Sequence, residues 1–331
     1  MKISKSYGVS LMNMLLCISV LVIHLSAAPA TTLIYGSIWH ITVYSVNRAL
    51  SYAVPGFIFL CGFKLFYGYA DKDINILRFY LGRAKKVVLP YIIAVFVFFV
   101  YYRFMGWASI SGLPEYIFLG TLASHFYYIV IAVQFYLLFP ILKKLFLRAP
   151  IIFCTVSLIV NLFYRNLVYF KYSDRFILTY IFYFALGMLA AKYRLHDRAK
   201  RVLLFTLPLF VIFGAVHIYR QYLVYGGVSS YHFSGQSEIV YSTLAILLIF
   251  SLCALVADKS KKICGIASSF ERVSYNIYLY HLLPIIVLDY NIYAQLSLSV
   301  KQKFFISSAV VFSLVAIYFV CDIMTRRKEQ K

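Results

Sequence analysis

Apolar stretches of about twenty residues recur from one end of this chain to the other, separated only by short polar loops. A helix rises about 1.5 Å per residue, so each stretch is long enough to cross the roughly 30 Å hydrocarbon layer of a bilayer. Apolar residues run on continuously within them instead of alternating, which excludes a transmembrane β-barrel. Spans are expected at about 9–28, 45–68, 87–104, 124–146, 150–170, 175–193, 201–220, 237–257, 273–292 and 302–324. Composition agrees: 63% of the 331 residues are hydrophobic and 13% charged, where soluble domains carry roughly a quarter charged. The chain reads as an all-α, polytopic membrane bundle of about ten helices, a single transmembrane domain over 1–331. The first stretch lacks a small-x-small cleavage site followed by a soluble domain, so it counts as a retained span and not a secretory leader. No internal repeat is visible.

Lysine and arginine set the orientation. The N-terminus, every second loop and the C-terminus together hold 23 of them, the opposite loops hold 7, and Arg48 and Lys64 fall within the second span. That asymmetry puts both termini in the cytoplasm and makes the chain a multi-pass protein of the cytoplasmic membrane. The net charge of +21 is accordingly a topogenic and lipid-headgroup signal, and nucleic acid is not an expected partner. Six cysteines lie in or beside apolar segments without C-x-x-C spacing, so neither a zinc site nor a disulfide framework is indicated.

Ionisable groups inside a bilayer are costly, so each is a functional candidate. All eleven carboxylates fall in expected loops or near span ends, which leaves histidine as the general base available within the bundle. His24 lies about fifteen residues into the first span, roughly 22 Å from its inner boundary. An ordinary imidazole pKa near 6.5 suits proton abstraction from a hydroxyl. Asn13 sits eleven positions earlier, close to three helical turns, and so shares the face of His24. A lone membrane histidine also serves as a hydrogen-bond partner between helices. Span nine carries Tyr280 and His281 in SYNIYLYHLLP, and span four carries Gln134 and Tyr136 behind His125 in HFYYIVIAVQFYLLFP. His40, His196, His217 and His232 fall in loops or near the outer surface.

Arg48 opens the second span, where it can snorkel to headgroups or meet a substrate. Pro55 and Gly62 in that span allow a kink and a close backbone approach. The run RFYLGRAKKVVLPY sets Arg78, Arg83, Lys85 and Lys86 at the mouth of span three, a cluster suited to anionic lipid or to the phosphates of a nucleotide-containing donor.

Five segments, in order, resemble the integral-membrane acyltransferase 3 family. NMLLCISVLVIH is similar to the family's arginine, ten residues, then histidine in the first span, with Asn13 in the arginine position and His24 in the histidine position. AVPGFIFLCGF resembles its Val-Pro…Ser-Gly-Phe segment, with Cys61 for the serine, and RAKKVVLPY its Arg-x-x-Arg…Pro-Tyr motif, with Lys86 as the second basic residue. FYYIVIAVQFYLLFP resembles its Gln-x-Tyr-Leu-x-x-Pro segment, and SYNIYLYH its Ser-Tyr-x-x-Tyr-Leu-x-His segment.

The resemblance implies transfer of an acyl group from cytoplasmic acyl-CoA, acetyl-CoA by default, to a hydroxyl of a cell-envelope carbohydrate. No metal is required. In that reading His24 is the base and Asn13 orients the donor, in a place where the family carries positive charge. Arg83, Lys86 and Arg48 hold the donor, while Gln134, Tyr136, Tyr280 and His281 meet the acceptor. Proteins of envelope biosynthesis are expected partners. A different class stays open: the 30 Phe and 31 Tyr suit a transporter, flippase or export component for a lipid-linked or surface polysaccharide. A scaffold in an envelope-synthesis complex is a third reading.

Overall fold

The structure is a computed structural model that describes residues 3–168, 170–228, 230 and 234–329. Lys2, His232 and Lys331 lie outside the described residues. Helix makes up 86% of it, and no strand occurs among the described residues. Eight helical stretches are long and apolar enough to cross a membrane, and two shorter apolar helices, Pro150–Tyr164 and Ile181–Lys192, accompany them. Each of the ten expected spans coincides with one of these.

The chain packs as two compact units, one formed by Met1–Val54 with His196–Lys331 and the other by Pro55–Leu195. In chain order the first unit opens with α1 (Ile3–Thr32) and α2 (Ile38–Ala49), and α3 (Ala53–Tyr69) leads into the second. There follow α4 (Ile76–Arg83), α5 (Leu89–Phe104), α6 (Leu113–Leu119), α7 (Tyr127–Arg148), α8 (Pro150–Leu167) and α9 (Ile181–Lys192). The first unit resumes with α10 (Ala199–Tyr225), α11 (Ser234–Lys259), α12 (Lys261–Tyr280), α13 (Leu282–Val287) and α14 (Val300–Glu329).

In the first unit α1 is the central element, packed against α2, α11, α12 and α14. Gly8 lets it approach α11 closely, for a Cβ there would lie 3.2 Å from the Cα of Ala254. Contacts Ser10–Glu271, Asn13–Ser274 and His24–His281 advance together along both chains, so α1 and α12 run parallel.

In the second unit α3 and α9 cross at paired glycines. A Cβ on Gly62 would lie 2.2 Å from the Phe184 carbonyl oxygen, and one on Gly187 would lie 2.0 Å from that of Phe59. Backbone meets backbone there, which is how small residues drive helix association where lipid supplies no hydrophobic gradient.

Three elements depart from the expected spans. The second expected span is broken at 50–52 between α2 and α3, so Pro55 stands in the first turn of α3 and kinks nothing; a proline there lacks only an N–H that has no helical partner. The basic run before span three is not a loop. α4 continues through a π-helical turn, Ala84–Val88, directly into α5. Pro90 cannot donate to the carbonyl four residues back, and a wider turn just upstream accommodates its ring. Finally, α12 begins at Lys261, twelve residues before the expected start. Ser260 caps it by accepting from the Ile263 N–H, and Cys264, Ala267 and Phe270 bury one face.

Candidate functional site

The first unit brings two of the expected residues into contact. The rings of His24 on α1 and His281 at the end of α12 have centroids 5.0 Å apart and are tilted by 51°. His24 is half-buried and His281 buried. His281 stands at the junction of α12 and α13 within the helical stretch Lys261–Gln295; its backbone stays helical and its N–H reaches the Ile277 carbonyl. Three residues on, Pro284 can give no hydrogen bond to the Tyr280 carbonyl, so that one carbonyl lacks its helical partner.

A contact one turn back sets the tautomer of His281. Its Nδ1 lies 2.7 Å from the Tyr278 carbonyl oxygen. A carbonyl only accepts, so Nδ1 carries the proton, and Nε2 of the neutral ring holds the lone pair. The Tyr278 ring packs 5.8 Å from the His281 ring. Tyr278 was not among the expected site residues, although its spacing of three from His281 places it on the same helical face. Tyr280 itself is half-buried.

Asn13 is buried, and its side-chain amide donates to the Ser274 hydroxyl at 2.8 Å. Ser274 in turn donates to the Glu271 carbonyl at 2.8 Å, and Ser10 donates to the Glu271 carboxylate. Asn13 and His24 share a face of α1, but eleven residues separate them by roughly 16 Å along the axis. The structure does not bring them together. Asn13 fastens α1 to α12 well below the two imidazoles.

Two of the carboxylates expected near span ends pair across helices. Glu271 stands ten residues into α12, half-buried. Glu238, in the second turn of α11, lies 3.0 Å from Nε2 of His217, which is buried and stacked 4.9 Å from Tyr241. Neither pairing was legible in sequence. Each joins groups on different helices, and the second requires the α10–α11 contact. His40, near the start of α2, is buried, with Nε2 3.2 Å from the Ala30 carbonyl and its ring among Tyr35, Tyr44, Tyr222 and Tyr225.

Arg48, in the last turn of α2, is exposed; its guanidinium donates to the Asn47 side chain and lies 5.6 Å from the Tyr44 ring centroid. Asn47 in turn donates to the Ile23 carbonyl and the Ser26 hydroxyl, anchoring α2 beside the turn that carries His24.

The second unit assembles another subset. The Arg83 guanidinium lies 5.0 Å from the Tyr136 ring centroid and 5.3 Å from that of Phe79. Stacked this way, the cation is held without a carboxylate. Lys86 is exposed on the adjoining π-helical turn. Gln134 is not with them. Its amide accepts from the Ile177 N–H at 2.9 Å and donates to the Arg175 carbonyl at 2.8 Å, which pins the segment leading into α9. His125 is buried beside Phe98 and Phe126, just before α7.

Among the described residues no group of three or more His, Cys, Asp or Glu side chains is placed to hold a metal ion. The six cysteines are free thiols.

The acyltransferase domain of the acyltransferase 3 family matches residues 6–326, nearly the whole chain. This chain is a member of the acyltransferase 3 family. No curated protein and no solved structure matches it. Membership makes this a membrane acyltransferase that uses an acyl donor as co-substrate. The matched region takes in the His24–His281 pair and the Arg83 cluster alike.

Proposed function

We propose that this acyltransferase moves an acyl group, acetyl in the simplest case, from cytoplasmic acyl-CoA to a hydroxyl of a cell-envelope carbohydrate, from a position in the cytoplasmic membrane. The observation that carries the reading is the His24–His281 contact at the α12–α13 junction, inside a chain of this family. His24 takes the proton from the acceptor hydroxyl as its oxygen attacks the thioester carbonyl. A C–O bond forms, the C–S bond breaks, and the proton passes from the imidazole to the departing thiolate, releasing free CoA. His281, its tautomer set by the Tyr278 carbonyl, presents a lone-pair nitrogen and holds His24 in one orientation. Asn13 acts at a distance, by fixing how far α1 is advanced along α12.

Arg83 and Lys86 are assigned to the donor's phosphates. A guanidinium braced by two rings beside an exposed ammonium gives a fixed charge and a mobile one, suited to a polyphosphate. Tyr136 belongs with this cluster through its contact with Arg83. Arg48, Tyr280 and Gln134 are not assigned a chemical step.

The test is the mass of envelope glycans from cells with the wild-type gene, a deletion, and His24→Ala. The reading expects both mutants to lose one acyl group per modified unit while the variant protein stays at wild-type level in the membrane. Glycans of unchanged mass would reject it, and translocation of an unmodified glycan would favour the export reading.

A further inference from the structure

The first unit carries an open surface cavity with no part in the proposed transfer step. It has a volume of about 530 Å³ and lies in the groove between α12 and α14, lined by Lys261, Lys262, Arg272 and Arg326. Its floor is apolar, made by Ile266, Phe319 and Ile323 with Gly265. Because α12 starts and α14 ends here, the groove lies at the lysine- and arginine-rich end of the unit. Asp322 lies 3.6 Å from Arg272 and 3.1 Å from Arg326, so one carboxylate restrains both guanidiniums and three positive charges remain in excess.

Two further features select the ligand. A Cβ added to Gly265 would meet nothing within 4 Å, so the groove is open at that residue and a larger side chain there would project into it. The wall continues as uncovered hydrocarbon: only 11% of the apolar window of α14 is buried, and Phe312, two turns before Phe319 on the groove's own face, is exposed. A soluble phosphate compound would be served by the charges alone. Basic groups at a helix end above a continuous apolar strip match an amphiphile with a phosphate head and acyl tails.

We infer that the α12–α14 groove binds the headgroup of an anionic phospholipid of the cytoplasmic leaflet, with its acyl chains lying along α14. The shared chemistry is a phosphate ester, and the lipid is the source that also explains the apolar strip. Lys261 and Lys262 supply mobile donors to the phosphate oxygens, while Arg272 and Arg326 supply a fixed field. The site sits on the helix that ends at His281, so occupancy braces the N-terminal half of α12. The inference rests on membrane embedding and not on the acyl-transfer reading.

Native mass spectrometry of the full-length protein in detergent tests it, with phosphatidylglycerol and phosphatidylcholine of matched chains as probes. Phosphatidylglycerol should remain bound in preference to phosphatidylcholine, and Lys261→Ala with Lys262→Ala should weaken it by about fivefold for each lysine removed. Gly265→Leu keeps every charge and plugs the floor, so it should abolish the preference while the melting temperature without lipid stays near wild type. That variant decides the matter if the lysine variant fails to fold. Equal retention of the two lipids, or retention unaffected by Gly265→Leu, overturns the site. Displacement of phosphatidylglycerol by glycerol phosphate or acetyl-CoA would show a pocket for soluble phosphates and overturn the lipid assignment. None of these results depends on whether His24 is a base.

Discussion

The imidazole of His24 is set against another imidazole, and that pairing bears most on chemistry. Removing a general base lowers a rate by about 10²–10⁴-fold. His24→Ala should therefore reduce acyl transfer by that order at unchanged protein level, measured as label passing from acetyl-CoA to glycan in isolated membranes. His281→Ala should also impair transfer, and the double variant should be no slower than His24→Ala alone, because both residues serve one step. Losses that multiply in the double variant would separate their roles. Asn13 makes a contrasting prediction. Its bond to Ser274 is one interhelical hydrogen bond, worth about 1 kcal/mol in a membrane. Asn13→Leu should lower thermal stability by roughly that amount and change transfer far less than His24→Ala. Loss of transfer at unchanged stability would instead place Asn13 in the chemistry.

At the scale of elements, two sequence details have outsized effects. Gly62 and Gly187 admit no Cβ without moving backbone. Gly62→Ala or Gly187→Ala should destabilise the protein by about 1–3 kcal/mol or more, visible as a lower melting temperature in detergent, whereas Gly265→Ala should not. Pro284→Ala restores the N–H that the Tyr280 carbonyl lacks and completes the hydrogen bonding of the α12–α13 junction. Stability should hold or rise while transfer falls, the usual opposition between a regular helix and an irregular functional one. Unaltered transfer in that variant would mean that the missing hydrogen bond beside His281 is incidental.

These elements also show what the sequence could tell. The spans were legible because hydropathy acts over windows of twenty residues, and the shared face of Asn13 and His24 because helical periodicity is fixed. Gly62 was legible as a site of close approach, though its partner Gly187 was not. Boundaries set by amphipathic packing were missed. The early start of α12 escaped because Lys261 and Lys262 lie on a face turned away from its buried one, which dilutes average hydropathy. Pairings across helices, such as His217 with Glu238 or Gln134 with the segment before α9, depend on which helices become neighbours. No local pattern carries that information. The His24–His281 contact joins positions far apart in the chain, so only the fold could reveal it.

For the whole molecule, the lysine and arginine asymmetry predicts that both termini face the cytoplasm. Thiol-labelling of single cysteines placed at residues 6 and 326 in intact cells should give no signal until the membrane is permeabilised; labelling before that would invert the topology and the proposed route of the donor. The first unit holds an imidazole pair, and the second a braced arginine. The central claim is that His24 accepts the proton that lets a hydroxyl attack an acyl-CoA thioester. It is tested most directly by incubating purified protein in lipid with radiolabelled acetyl-CoA and an envelope-glycan fraction. The account predicts label in the glycan with the wild-type protein and almost none with His24→Ala at equal amount and equal melting temperature. Equal label with both proteins would contradict it.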